Sequence, residues 1–278
     1  MSRLRFRDFQ TWYEIVGKRE EPGRLPLLCL HGGPGSSHDG LEPLKALAGQ
    51  GRRVVFYDQL GGGDSDRPDD PSLWTIELFL DQLRTVREAL GLERLLLFGS
   101  SWGGMLALEY VLTKPDGIVA LVLNSTPASA PRWAEETRRL AAALPARSDG
   151  KEANREFWRR HICRLEPEPD ALRRARAKFG MQVYELMWGP NEFTVTGTLK
   201  DWDVTDRLGE IEVPTLITSG RHDECTPALV EVLHRGIAGS DWVLFEHSAH
   251  MPHLEETERY LEVVGGFLDR AENGYASS

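Results

Sequence analysis

Cysteine is scarce in this chain. Cys29, Cys163 and Cys225 are the only three among 278 residues, and their odd number and wide spacing define neither a disulfide framework nor a metal-ligand cluster. That usage suits a reducing cytoplasm. Long apolar runs are also missing: the longest, such as residues 118–123, fall far short of the roughly 20 residues that span a bilayer. The opening MSRLRFRDFQ carries positive charge with no apolar stretch behind it, so no secretory signal is expected. Basic residues are in deficit, with 33 Lys+Arg against 43 Asp+Glu for a formal charge of −10. Phosphate-rich partners need a net basic face, so neither nucleic acid nor an anionic membrane is expected as the main partner. Internal repeats and low-complexity tracts are absent. What is present is an ordinary globular composition, 41% hydrophobic and 27% charged, in a chain long enough for one large domain or for a domain carrying an insertion.

Short apolar runs punctuate the chain. Residues 5–16 mix aromatic, charged and β-branched side chains in rough alternation and read as an edge strand or hairpin. Six unalternating runs follow, at residues 26–30, 53–57, 95–98, 118–123, 213–218 and 242–245. Such runs suit strands buried on both faces, as in a parallel sheet. Between them lie segments of helical spacing. Leu78, Leu83, Val86 and Leu90 follow a capping Thr75, and Met105, Leu108 and Leu112 precede the break at Pro115. Strands alternating with helices predict an α/β fold with helices on both faces of the sheet. The alternation lapses over residues 127–205, which are rich in Arg, Glu and Ala and carry four tryptophans. This stretch is expected to be a helical cap inserted over the carboxyl ends of the strands, with residues 1–126 and 206–278 forming the core. The polar tail at residues 272–278 is expected to fray.

Gly99, Ser100, Ser101, Trp102 and Gly103 match G-x-S-x-G between the strand-like LLLF and a helical pattern. Strand, sharp turn and helix is the setting of a nucleophile elbow, with the Ser101 hydroxyl at a strand tip and the helix amides aimed at developing negative charge. Ser100 is the rival nucleophile, but only Ser101 sits centrally between the glycines. A nucleophilic serine needs a base, and the base needs an orienting acid, in the chain order Ser, acid, His. Asp223, in the loop GRHDECTP, and His250, in the loop HSAHMPH, fit that order and follow strand runs. His222, His247 and His253 compete nearby, and Asp223 could instead cap the turn before Pro227. The glycine-rich HGGPG at residues 31–35 could supply an amide, with Gly33 the expected donor, to pair with the Trp102 amide in an oxyanion hole. A phosphate loop is the weaker alternative, since no G-K-[ST] or G-x-G-x-x-G follows. No cofactor or metal motif is visible.

With HGGPG, GSSWGG, an Asp loop and a late His in that order, the chain resembles the proline iminopeptidase family of α/β hydrolases, serine peptidases that remove an N-terminal residue. Residues 57–59 (YDQ), 189–193 (GPNEF) and 196–203 (TGTLKDWD) extend the match, which runs from about residue 26 to residue 255. The pattern looks like the branch with archaeal tricorn-associated aminopeptidases and bacterial amino-acid amidases. The resemblance implies the α/β-hydrolase fold, Ser101 as nucleophile, Asp223 as acid and His250 as base. It further implies that Glu192 and Glu224 hold the substrate's α-amino group. By residue type alone those glutamates would read as solvated loop charges. Two adjacent carboxylates do, however, distinguish a free ammonium from a blocked one, and their mutual repulsion raises the pKa of at least one. Where the family usually has a β-branched residue, this chain has Cys225, which either fills space or exposes the activity to thiol reagents.

The expected activity is cofactor-free release of an N-terminal residue, proline or another small apolar one, from short peptides or amino-acid amides through an acyl-enzyme. A carboxylesterase or lactonase is the rival enzyme, because the same triad cleaves esters without needing an ammonium clamp. A non-catalytic protein on the same fold is the rival outside enzymes.

Overall fold

The structure is a computed structural model that describes residues 2–144 and 150–276. Its frame is a single eight-stranded sheet in the order β1-β2-β4-β3-β5-β6-β7-β8. The strands are β1 (Ser2–Phe6), β2 (Phe9–Val16), β3 (Leu27–Leu30), β4 (Val54–Tyr57), β5 (Leu95–Ser100), β6 (Ile118–Asn124), β7 (Thr215–Gly220) and β8 (Asp241–Phe245). β1 and β2 form an antiparallel hairpin at one edge, and β2 meets β4 antiparallel. Every other pairing is parallel. The central strands β3 to β7 are buried along their whole length, which is why their sequences show no alternation. β7 starts at Thr215, two residues later than the apolar run at 213 suggests, because Pro214 has no N–H for the ladder and offers only its carbonyl, to Leu121.

Nine helices complete the layers among the described residues. α1 (Ile76–Ala89) is capped by Thr75, whose hydroxyl accepts from the Leu78 amide. α2 (Trp102–Leu112) is buried nearly all round. The helices α3 (Ala130–Ala142), α4 (Gly150–His161), α5 (Asp170–Ala177) and α6 (Met181–Met187) lie between β6 and β7. α7 (Pro227–Gly236), α8 (Pro252–Glu255) and α9 (Thr257–Ala276) finish the chain. A 3₁₀ segment, His38–Gln50, packs beneath α5 and α9.

The chain leaves and re-enters the core at one place. Ser129 and Asp203 form an isolated antiparallel bridge, flanked by hydrogen bonds from the Ala130 amide to Trp202 and from the Val204 amide to Ala128. The α3–α6 helices are clasped to the core by ion pairs: Lys178 to Asp64 at 2.6 Å and Asp39 at 3.2 Å, and Arg174 to Asp39 at 3.2 Å.

The tail departs from expectation as far as residue 276; residues 277–278 lie outside the described residues. Helix α9 runs on to Ala276, and Glu272 is buried because its carboxylate accepts from Arg24, Arg52 and the Leu25 amide. A charge that composition marks as solvated is here anchored from the opposite end of the sequence. No helix among the described residues is long and apolar enough to cross a membrane.

Candidate active site

The strand order reverses direction around β3, whose neighbours are β4 and β5. In open α/β sheets the crevice at such a switch point lies outside the carboxyl ends of the strands. HGGPG leaves β3 there, and the G-x-S-x-G turn leaves β5, with Leu30 and Gly99 paired in register. Ser101 sits at φ 54°, ψ −121°, outside any regular region for a residue with a Cβ. The turn that holds it is over-determined by close approaches. A Cβ on Gly99 would lie 2.4 Å from the Gly103 carbonyl oxygen, and one on Gly103 would lie 2.3 Å from the Leu30 carbonyl oxygen. The Ser101 amide donates to Asn124 at 2.9 Å. Strain stored at one serine and held in place by its neighbours is typical of a functional turn.

Ser101, His250, Glu192, Glu224, Gly32 and Gly33 line one cavity of about 400 Å³. His250 is buried, and its Nδ1 lies 2.7 Å from Asp223 Oδ1. The same oxygen accepts from the Cys225 amide at 2.8 Å. Burial disfavours the imidazolium, but the Asp223 carboxylate outweighs it, helped by Glu192 and Glu255, and the His250 pKa rises above its ordinary value. An imidazole whose Nδ1–H is held by a carboxylate presents Nε2 as a base.

The competing side chains are otherwise engaged. Ser100 Oγ accepts from Asn124 Nδ2 at 2.9 Å, in a buried network with Thr218 and Tyr260. His253 Nε2 lies 3.0 Å from the Gly40 carbonyl, and burial pushes its pKa down to about 4. His247 is exposed, and His222 meets the rest of the site through its backbone, whose carbonyl accepts from His161 at 3.0 Å. Cys225 is fully buried and burial holds its thiol protonated, so it fills space.

The two segments expected to supply oxyanion amides are joined by one side chain. The Gln59 amide donates to His31 Nε2 at 2.9 Å, which leaves the His31 proton on Nδ1 to donate to the Gly32 carbonyl at 2.8 Å. Gln59 Nε2 donates to the His31 carbonyl at 2.9 Å, and its Oε1 accepts from the Trp102 indole at 2.6 Å. Gln59 thus clasps the HGGPG turn to the elbow. Gly33 lies at φ 117°, where a Cβ would strike the Gly35 nitrogen at 2.6 Å.

GPNEF is a tight hairpin turn. A Cβ on Gly189 would lie 2.0 Å from the Thr194 carbonyl oxygen, Asn191 Oδ1 accepts from the Phe193 amide at 3.2 Å, and Asn191 bridges Thr194. α3 carries this turn, since the Trp133 indole donates to the Glu192 carbonyl at 3.1 Å. The same ring stands edge-on to His250, with centroids 5.9 Å apart. Glu192 is half-buried and Glu224 buried. Burial raises both carboxyl pKa values, and for Glu224 the charges of Glu192 and Asp223 add to the rise. The Tyr184 hydroxyl opposes the shift at Glu192. Glu224 Oε2 has no hydrogen-bond partner among the described residues. Trp133 and Tyr184 escape sequence reasoning, each acting as a single residue with no local pattern around it; Gln59 falls in the YDQ match, but its bridging contacts do not show in the sequence.

Metal-binding geometry is sparse. Among the described residues His38, Asp58 and Asp64 come close together, but they satisfy one another: Asp58 accepts from His38 Nδ1 at 2.9 Å and from the His38 and Asp64 amides, while Lys178 pairs with Asp64.

The chain is similar to known proteins over nearly its whole length. A family model for the α/β hydrolase fold matches residues 26–257. A proline iminopeptidase from Lactobacillus acidophilus is 42% identical, over 96% of this chain and 97% of that protein. The solved structure of a proline iminopeptidase from Mycobacterium smegmatis superposes with a TM-score of 0.93 at 37% identity, covering 99% of each chain. That of VinJ superposes with a TM-score of 0.92 at 39% identity, covering 97% of this chain and 98% of its own. An elbow serine, a carboxylate-held histidine and the GPNEF hairpin thus sit in a chain that matches such relatives from end to end, and it belongs to the proline iminopeptidase family of α/β hydrolases.

Proposed function

We propose that this chain is a serine aminopeptidase that releases N-terminal proline from short peptides, with Ser101, His250 and Asp223 as its catalytic residues. The observation that carries the reading is the carboxylate pair in the cavity. Glu192 and Glu224 are drawn from solvent, raised in pKa and, at Glu224 Oε2, unpartnered among the described residues. The α-ammonium of a free N-terminus supplies the missing cation. An internal peptide bond or an acylated amine leaves the pair desolvated and uncompensated, which selects chain ends.

With the amine held there, His250 takes the Ser101 proton and Ser101 attacks the carbonyl of the N-terminal residue. The oxyanion forms against the Gly33 and Trp102 amides, each such donor being worth about 2.7–4 kcal/mol. His250 then protonates the leaving amine, and water resolves the acyl-enzyme while Asp223 keeps the imidazole in its productive tautomer. The helices of residues 127–205 serve as a cap that limits entry to peptide ends, and they contribute Glu192 to the clamp. No step calls for a metal or an organic cofactor.

The test is a panel of prolyl and alanyl arylamides, each with a free and an N-acetylated amine, beside a simple aryl acetate. Cleavage confined to free amines, prolyl ahead of alanyl, is the expected result. Rapid ester cleavage indifferent to acetylation would overturn the roles of Glu192 and Glu224. Replacement of Ser101 by alanine should lower kcat by about 10⁶-fold, and retained turnover would sink the mechanism.

A further inference from the structure

We propose that Glu255 is a positioning residue: its carboxylate fixes the loop that carries His250 and ties that loop to the segment following α4. The inference rests on the reading of His250 as the base.

The hydrogen bonds form a closed set. Glu255 Oε2 accepts from the Ala249 amide at 2.7 Å and from the Met251 amide at 3.3 Å, the residues on either side of His250. Its Oε1 accepts from the Arg164 amide at 2.8 Å. The His250 amide, left between the two that Glu255 takes, donates to Ile162 at 3.1 Å. Three successive loop amides are therefore held either by Glu255 or by a segment that Glu255 itself holds. The next carboxylate extends the brace, since Glu256 Oε2 accepts from Ser248 Oγ at 2.7 Å and from the His247 amide at 3.1 Å.

The segment from His161 to Arg164 also reaches the acid loop. The His161 carbonyl accepts from the Glu224 amide at 3.2 Å, and its ring donates to the His222 carbonyl at 3.0 Å. Seating this part of the cap over the cavity and orienting the imidazole are consequently one mechanical event, with Glu255 at the junction. A carboxylate suits that task because both its oxygens accept and amide hydrogen bonds to an ionised group are strong. A glutamine in its place has one carbonyl oxygen and one donor group, so it serves one arm and confronts the other with a second N–H.

Glu255 also bears on the charge of the base. The ionisable groups around His250 are Asp223, Glu192 and Glu255, all of which favour the imidazolium, Glu224 at 3.9 Å, and His253, itself held neutral by burial.

The test compares the full-length chain with Glu255→Gln and Glu255→Asp, using a prolyl arylamide and a fluorophosphonate that labels the nucleophilic serine. In Glu255→Gln, kcat per labelled site should fall by about tenfold to a hundredfold. KM should stay within about threefold, labelling should slow in parallel, and the acidic limb of kcat/KM should move to lower pH. Glu255→Asp keeps the charge but is too short to span both arms, so its acidic limb stays in place while kcat still falls. Unchanged kcat per labelled site and an unmoved limb in Glu255→Gln, even with a lower Tm, would make Glu255 a purely structural brace and overturn the proposal. Should Glu255→Gln fail to fold, wild-type kcat in Glu255→Asp overturns it equally. Absence of labelling at Ser101 in the unmutated chain is a different failure, which removes the serine-hydrolase reading and this inference with it.

Discussion

Two clusters of buried charge occupy opposite ends of the strands, and they are composed on opposite principles. At the amino end of β4, the fully buried Arg52 donates to Asp269 at 2.8 Å and to Glu272 at 3.0 Å, and Arg24 pairs with the same two carboxylates. Cation matches anion, and Glu272 also takes the Leu25 amide. At the carboxyl ends, Asp223, Glu192 and Glu224 share a single imidazole, and both glutamates are driven toward their neutral forms. The first cluster is balanced in charge, although Arg52 Nε has no hydrogen-bond partner among the described residues, and it holds α9 to the sheet. The second has more carboxyl groups than cations, and it faces a cavity. Buried charge that closes within the chain is architecture, whereas buried charge left open describes a ligand.

That contrast can be broken by experiment. Replacing Arg52 by methionine leaves Glu272 with half its cations and should cost about 3–5 kcal/mol of stability, read by denaturant unfolding, with kcat/KM unchanged while the protein stays folded. A catalytic defect without a stability defect would erase the distinction. Glu224→Gln should do the reverse, lowering kcat/KM for free-amine arylamides by about 1.5–3 kcal/mol without destabilising the fold. The sign with pH follows from linkage. A carboxyl whose folded pKa is raised above 4.5 contributes its full stability below that value and loses it as pH rises. The Tm advantage of Glu224→Gln should therefore grow as pH rises above 4.5, and one that shrinks would show Glu224 to be charged and compensated.

A smaller effect concerns the two pH profiles. The acidic limb of kcat/KM should lie above the ordinary histidine value of 6.5, because Asp223 and Glu192 favour the imidazolium in the free enzyme. The limb of kcat should lie lower, since a bound ammonium cancels the field of Glu192. Coincident limbs would place the substrate amine elsewhere. Smallest of all, alkylating reagents should leave turnover untouched, because Cys225 is buried as a thiol; inactivation traced to Cys225 would contradict that.

What could be read without coordinates was whatever declares itself locally. Each of the six apolar runs overlaps a strand, and Thr75 caps the helix it precedes. Ser101, Asp223 and His250 stand out because each sits in a loop directly after such a run. Side chains that work across the fold left no such mark. Trp133 reaches Glu192 from α3 and Glu255 serves three amides from two segments, while Gln59, though inside the YDQ match, gives no hint that it joins the β3 and β5 loops. The misjudged tail has the same origin, since the burial of Glu272 depends on Arg52, 220 residues away. The 3₁₀ segment His38–Gln50, with Pro43 inside it, lacks the periodicity that marks an α-helix.

The bridge between Ser129 and Asp203 bears on how such a chain can be re-engineered. Because the excursion begins and ends at neighbouring points, exchanging everything between them is topologically a loop replacement, and closure entropy is only weakly sensitive to the length of the graft. The sheet and the elbow that carries Ser101 lie outside the exchanged stretch, but the His250 amide would lose its partner at Ile162 and the Glu224 amide its partner at His161. Yet Glu192 travels with the removable cassette, while Glu224 stays on the chassis. If the proposed clamp is right, any transplant that omits the GPNEF hairpin therefore keeps the elbow serine with half an amine receptor and should lose its preference for chain ends.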